Sequence, residues 1–355
     1  MRKSFGIRIP KQETQRALTL MRKLKLIDNT LELTRTNGAV LIPLVAEPCR
    51  DHLNEIKQQF ADMQISQHYF QEIDAKPRNL VETVRSDVPE NLLRSIPSSF
   101  DIIGDIAIVE LPDQLTAFSS VIGEGIMKIN PHVRLVLRKL GEVSGTFRTR
   151  KFEGIAGTGS TETIHKEFDC AFHLDVAGVY FNPRLSHERM RVAKQVKQNE
   201  RVLDMFAGVG PYSILIAKTQ PGSRVYAVDL NPEAFKYLRH NILLNRMADQ
   251  VVCALGDAAQ LATKDLRGTA NRVIMNLPSD SSRFLAAAVA ALKRDGGIIH
   301  YYAFASRDSN LEQIKEEVQS AIHSGGRTVS SFTFSEIIKE VAPSRVQVAL
   351  DVLVS

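Results

Sequence analysis

From residue 176 onward, short continuous apolar runs alternate with longer stretches of helical spacing, the pattern of a doubly wound α/β domain. Apolar runs at 202–204, 225–229, 251–254, 272–275 and 297–302 predict the core strands. Between the first two, Pro211 marks a first helical position, and that helix ends before Pro221 and Gly222. Asn231 and Pro232 cap the next helix, whose apolar face carries Ala234, Leu238 and Ile242. The last two runs, 332–341 and 346–354, joined through Pro343, predict two strands that both return antiparallel to the sheet.

Upstream the pattern is more broken. Apolar positions Ala17, Leu18, Met21, Leu24 and Leu26 predict a helix over 15–26, and 39–45 reads as a strand, so residues 1–72 form a small α+β unit. Residues 73–97 are polar, with Pro77 and Pro89, and predict a linker containing a short helix. A second α+β unit covers 98–175: two short strands bracket Gly104 and Asp105, a helix spans 112–127, and strands follow at 133–137, 145–152 and up to Asp175. The catalytic part is then 176–355.

A 355-residue chain with 44% hydrophobic and 24% charged residues belongs to a globular protein of two or three domains. Its longest apolar run, 284–292, is too short to cross a bilayer, and the N-terminus lacks a signal-peptide core, so a cytoplasmic enzyme is expected. Cys49, Cys170 and Cys253 lie far apart, which predicts neither a disulfide framework nor a metal cluster. The net charge of +5 is modest but uneven. Arg2, Lys3, Arg8, Lys11, Arg16, Arg22, Lys23 and Lys25 stand against Glu13 alone in the first 27 residues. Such a stretch suits a phosphate backbone, although a solvated helix face would look the same.

The chemistry concentrates at 202–213, where an apolar run ends in Asp204 and a turn through Gly208 and Gly210 follows. Glycines there let backbone pass close beneath a ligand, and Asp229, ending the next strand, can accept both hydroxyls of a ribose. A nicotinamide turn would need Gly or Ala where Ser213 stands and would not place Pro211 directly after the second glycine. S-adenosylmethionine fits better, because it has no pyrophosphate to seat and carries a cationic end that Asp204 suits. Asp257, just past a core strand, can reach an adenine amino group or simply cap a helix. Phe206, Leu230 and Ala258 flank these positions and complete the expected cofactor set. Asn276, in Asn-Leu-Pro-Ser after the fourth strand, is similar to the Asn-Pro-Pro-Tyr loops of enzymes that methylate amide or ring nitrogens.

Together, Phe147-Arg-Thr-Arg150, Ile164-His-Lys-Glu167, the 179–189 segment from Val179 to Arg189, Asp204 to Pro211, Asn276-Leu-Pro278 and His300-Tyr-Tyr302 resemble the archaeal and eukaryotic tRNA (guanine-37-N1)-methyltransferases. The resemblance implies a class I S-adenosylmethionine-dependent methyltransferase fold, a Rossmann-like doubly wound sheet with a closing antiparallel hairpin, plus two smaller N-terminal α+β domains. It also implies tRNA as partner, held at its outer corner and its anticodon stem-loop, and a chain that can act as a monomer. By the same resemblance Glu188 is the general base for the guanine N1 proton and Arg148 stabilises charge on O6, while Arg189 holds the cofactor carboxylate or a phosphate. Tyr180 shapes the pocket and Asn276 touches both base and cofactor. The base role requires the Glu188 carboxylate to be enclosed when the substrate enters. A sister family transfers an aminocarboxypropyl group to the same guanine, and a third branch methylates a tricyclic derivative; Arg184-Leu185, Pro211, Asn276-Leu-Pro278 and Tyr301-Tyr302 resemble the methyltransferase branch. A tRNA-binding protein without turnover is the non-enzymatic alternative.

Overall fold

The computed structural model describes residues 1–73, 77, 79–145, 149–307, 311–342 and 344–355, and the chain divides into two units, Met1–Arg78 and Asn79–Ser355. The first unit carries β1 (Arg2–Pro10), α1 (Thr14–Lys23), β2 (Thr34–Thr36), β3 (Ala39–Pro43), α2 (Arg50–Gln59) and β4 (Gln64–Phe70). Its strands form an antiparallel sheet in the order β2-β3-β1-β4. Alternation along β1 buries Ile7 and Ile9 against Ala17, Leu20 and Met21 of α1 and Ile56 of α2, leaving Arg2, Lys3 and Arg8 exposed.

The second unit begins with α3 (Leu80–Val84), then β5 (Asp101–Ile103), β6 (Ile106–Val109), α4 (Ser119–Ile129), β7 (Leu135–Ser144) and β8 (Thr149–Gly157). These strands form a sheet in the order β5-β6-β7-β8, with β6 and β7 parallel across the α4 crossover. The stretch expected as a linker differs in its second half: Leu80, Val84, Val88 and Ile96 are buried with Ile122 and Ile126 of α4, because their apolar side chains fill the open side of this sheet. The helix expected at 112–127 is split, a 3-10 turn over Asp113–Phe118 preceding α4.

A hairpin of β9 (Glu162–Glu167) and β10 (Cys170–Asp175) follows. The outer edge of β10 is closed by two asparagine amides: the Ala171 and His173 N–H groups donate to Asn245 and Asn241, whose amides donate back to the same residues' carbonyls. Those two side chains, four positions apart on one helix, satisfy an edge that would otherwise expose backbone donors and acceptors.

The remaining elements are α5 (Ser186–Gln195), β11 (Arg201–Asp204), α6 (Pro211–Thr219), β12 (Arg224–Asp229), α7 (Pro232–Leu244), β13 (Val251–Leu255), α8 (Ala258–Thr263), β14 (Arg272–Met275), α9 (Leu285–Ala291), β15 (Gly297–Ser306), α10 (Leu311–Ser324), β16 (Val329–Ala342) and β17 (Arg345–Val354). The strands make a seven-stranded sheet in the order β13-β12-β11-β14-β15-β17-β16. Five strands are mutually parallel and β17 runs against β15. Because β16 pairs antiparallel with β17, it runs with the parallel strands. The closing hairpin therefore reverses one strand, where the sequence predicted two. Strand order reverses at β11, so the crevice above β11 and β14 is where such a sheet receives ligands.

Candidate active site

The loops beyond the carboxyl ends of β11, β12, β13 and β14 enclose a cavity of about 500 Å³, a size suited to a small-molecule cofactor. Its wall includes Tyr180, Phe206, Gly208, Asp229, Leu230, Asp257, Ala258 and Asn276, eight of the residues singled out from sequence. Gly208 has φ +56° and its missing Cβ would project toward open space, the nearest atom being the Tyr180 carbonyl oxygen at 3.9 Å. Its N–H donates to Asp229 Oδ2 at 2.6 Å, and the Asn231 N–H donates to Oδ1 at 2.8 Å. Burial raises the Asp229 carboxyl above its ordinary range. The four acceptor positions of that carboxylate outnumber the backbone donors that reach it, which leaves room for a ligand hydroxyl.

Asp257 combines both of its sequence readings. Its Oδ1 caps α8 by accepting from the Ala259 and Gln260 N–H groups at 2.8 and 3.0 Å, while the residue also lines the cavity. Phe206 meets Phe284 edge to face at 4.9 Å, and Ser279, Asp280 and Arg283 form the lip, with Arg283 bonded to Asp280 at 2.7 Å. Sequence reasoning missed Phe284. The loop carrying Asn276 is pinned from two sides: Phe304 N–H donates to the Pro278 carbonyl at 3.0 Å and Ser281 Oγ to that of Met275, also at 3.0 Å.

Asp204, Gly210, Glu188 and Arg189 are not wall residues of this cavity. Asp204 lies beneath it, 1% exposed at the end of β11, with Ser213 Oγ donating to Oδ2 at 2.7 Å and no hydrogen-bond partner at Oδ1 among the described residues. Burial, with Asp229 nearby adding repulsion, pushes its carboxyl up to about 7. A buried acid with an unanswered oxygen calls for a positive neighbour, and the open Gly208 cradle above Asp229 leaves room for an adenosine. The residues present thus fit S-adenosylmethionine. Gly210 does a different job from its partner in the turn. At φ +95° a Cβ there would meet Leu238 Cδ1 at 2.7 Å and Ile214 Cδ1 at 2.9 Å, so it lets α6 and α7 pack.

The structure corrects the place of Arg189. Rather than facing the cofactor, its buried guanidinium is held by both oxygens of Glu167, at 2.7 and 2.5 Å, and donates to the Asn182 carbonyl at 3.1 Å. Burial opposes ionisation of Glu167, yet the hydrogen bonds from His165 and Arg189 hold its carboxyl below the ordinary value. A fork already matched to one carboxylate has little left for a second. Arg148 lies outside the described residues.

Glu188, in the first turn of α5, is 8% exposed. Arg191 Nε donates to Oε2 and Nη2 to Oε1, both at 2.7 Å, and Tyr302 OH donates to Oε1, also at 2.7 Å. The other face of the Arg191 fork binds Asp351, which in turn receives His300 Nδ1 at 2.6 Å. His300 Nε2 meets Arg272 Nη1 at 2.7 Å, and Arg272 Nε reaches Glu200 at 2.9 Å. None of this chain except Glu188 and the position of His300 and Tyr302 was marked by sequence. A second cavity of about 230 Å³ shares Tyr180 with the first and is walled by Phe152, Phe181, Asn182 and Phe304, with Lys139, Arg150 and Lys339 among its polar residues.

Known proteins share this fold and much of this sequence. Residues 163–329 match the TRM5/TYW2 methyltransferase domain, 80–161 the TYW2 N-terminal domain and 6–51 the tRNA methyltransferase 5 N-terminal domain. The tRNA (guanine(37)-N(1))-methyltransferase Trm5b of Pyrococcus abyssi is 36% identical over 99% of both chains, and its crystal structure superposes with a TM-score of 0.80 over 99% of each. The complex structure of aTrm5 and tRNALeu, 30% identical, gives a TM-score of 0.81 over 99% of this chain and 100% of that one. M. jannaschii TYW2 in complex with AdoMet, 29% identical over 72% of this chain and 99% of its own, gives 0.56. The chain belongs to the archaeal- and eukaryotic-type tRNA (guanine(37)-N1)-methyltransferase family.

Proposed function

We propose that this enzyme transfers the methyl group of S-adenosylmethionine to N1 of guanine 37 in tRNA. The observation that carries the reading is the match along essentially the whole chain to a tRNA (guanine(37)-N(1))-methyltransferase, combined with a cavity whose acids and glycine turn suit the cofactor. No described helix is long and apolar enough to cross a membrane, and the enzyme is proposed to work in the cytoplasm as a monomer. The exposed cations of the first unit are proposed to hold tRNA phosphates at the outer corner, and the second unit to take the anticodon stem-loop.

The cofactor supplies an electrophilic methyl group and departs as a neutral thioether. The protein must make N1 a nucleophile, because N1 of guanine carries a proton at neutral pH. In this reading the base leaves the anticodon-loop stack and enters beside Tyr180, whose ring borders both cavities. Glu188 takes the N1 proton on a carboxylate oxygen; the electron pair left on N1 forms the new bond to carbon, and Arg148 answers the charge that moves to O6. Asn276, on the cavity wall, orients base and cofactor against each other. Asp229 receives the ribose hydroxyls, Asp257 the adenine amino group through its uncommitted Oδ2, and Asp204 faces the cationic end.

Labelled S-adenosylmethionine and paired tRNA transcripts with guanine or adenine at position 37, followed by mass analysis of nucleosides, test the reading. N1-methylguanosine formed only from the guanine transcript is expected. An aminocarboxypropyl mass would move the chain to the TYW2 side of the family, to which residues 80–161 are also similar. Tight tRNA binding without product would leave a binding protein.

A further inference from the structure

A buried base that pairs with a single arginine has a difficulty. When the carboxylate accepts a proton, the half-buried guanidinium is left with no anion, and the fork that held the carboxylate loses what fixes it. The geometry around Glu188 avoids this. Arg191 uses Nε and Nη2 on Glu188 and Nη1 and Nη2 on Asp351, so the two carboxylates share one fork. Its planar face lies on the Phe334 ring at 3.7 Å from the centroid, which fixes the fork's orientation.

Asp351 is 1% exposed and well provided with donors: Arg191, His300 Nδ1 at 2.6 Å and Gln195 Nε2 at 2.8 Å. Despite burial, those hydrogen bonds hold its carboxyl far below the usual range, so it stays ionised at any working pH. His300 is fully buried and its basicity is lowered by burial, which matches a neutral ring donating from Nδ1 to Asp351 while Nε2 accepts from Arg272. The charges along this chain are three carboxylates, Glu188, Asp351 and Glu200, against two guanidiniums, Arg191 and Arg272. One proton arriving at Glu188 brings that set to neutrality. Of the four acceptor positions on the Glu188 carboxylate, three are filled by Arg191 and Tyr302, and among the described residues none fills the second position on Oε2.

We propose that Arg191 and Asp351 are positioning residues for the proposed base: Arg191 aims the open acceptor position of Glu188, and Asp351 is the stationary counter-charge that keeps Arg191 paired when Glu188 takes the N1 proton. The proposal rests on the reading of Glu188 as the base. It is distinct from that reading, since neither residue lines either of the two cavities.

The test measures single-turnover methyl transfer at saturating S-adenosylmethionine and tRNA for the full-length enzyme and for Glu188→Gln, Asp351→Asn and the double variant, with both KM values and a thermal midpoint for each. Asp351→Asn is expected to lower the saturating rate about 10- to 100-fold with both KM values within about 2-fold of the parent. In the Glu188→Gln background the same change is expected to add nothing, because the group it serves is gone. Losses that multiply in the double variant, or a raised KM at unchanged rate, would overturn the proposal while leaving Glu188 as base. A parental rate for Glu188→Gln would instead remove the base reading itself. Should Asp351→Asn not fold, Arg191→Lys serves in its place: it keeps the charge but loses the fork, and the same non-additivity is expected.

Discussion

Asp204 and Asp351 are equally buried, each 1% exposed, and their surroundings could hardly differ more. Asp351 has every neighbour an anion needs, and its carboxyl is held far down. Asp204 has one hydroxyl donor and an unanswered oxygen, and its carboxyl is pushed up to about 7. Protein interiors normally complete their buried polar groups. The incomplete one marks where a ligand is expected to complete it, and the complete one marks where the protein has fixed its own geometry.

The contrast is sharpest under one substitution made twice. Asp351→Asn leaves Arg191, 23% exposed, on Glu188 but weakens the charge-assisted hydrogen bonds at a buried acid, and should destabilise the enzyme by about 1–3 kcal/mol. Asp204→Asn removes a buried charge for which the surrounding hydrogen bonds do not make up the burial, so at pH 8 the unliganded enzyme should gain stability, on the order of 2 kcal/mol. The same change should weaken S-adenosylmethionine binding roughly 100-fold, because a cation would then face a neutral amide. Denaturant titration and calorimetric binding give the two signs. Equal signs for the two variants would mean that Asp204 is a structural acid like any other.

The next effect separates two glycines in one turn. Gly210→Ala places a methyl 2.7 Å from Leu238 Cδ1 at a backbone angle that disfavours side chains, and should cost about 2 kcal/mol of stability. Gly208→Ala meets nothing nearer than 3.9 Å, so its cost should be the smaller one, about 1 kcal/mol from the left-handed angle of φ +56°, while the methyl fills cavity and cofactor affinity falls roughly tenfold. Thermal unfolding with and without S-adenosylmethionine distinguishes them. If Gly208→Ala were the more destabilising of the two, the turn would not be the cradle it resembles.

These two regions were unequally legible. The cavity could be read because its parts are local: strand, acid, glycine turn and helix follow one another between residues 202 and 213, and Asp229 and Asp257 end strands whose apolar runs are plain. The ion chain behind Glu188 joins positions 160 apart, Arg191 and Asp351, on elements brought together only by the closing hairpin. No periodicity marks a charged residue inside an otherwise apolar strand such as β17, where Asp351 sits between Leu350 and Val352. The same limit explains Arg189, to which the family resemblance gave a ligand although its partner is Glu167 on a distant hairpin. It explains 79–97 as well, where weak spacing hid four core residues that pack on α4. The direction of β16 was a matter of pairing, which strand-like sequence alone does not carry.

The smallest effect is also the most specific to the open acid. Its folded value of about 7 lies above the ordinary 3.8, so ionisation of Asp204 opposes folding of the unliganded enzyme. The stabilising contribution of the protonated form is therefore complete below pH 3.8 and is lost as pH rises through about 7. Cofactor binding runs the other way, since a cation favours the ionised form. Affinity for S-adenosylmethionine should strengthen about tenfold between pH 6 and pH 8, and binding near pH 6 should release close to one proton. Calorimetry in buffers of different ionisation enthalpy counts that proton directly. S-adenosylhomocysteine, which lacks the sulfonium charge but keeps the amino acid, should show a weaker slope if the sulfonium is what Asp204 answers and an equal one if it is the ammonium. The Asp204→Asn enzyme should show no proton release at all. A release that persists in that variant would transfer the titration to Asp229, whose carboxyl burial also raises, and with it the identity of the acid that the cofactor completes.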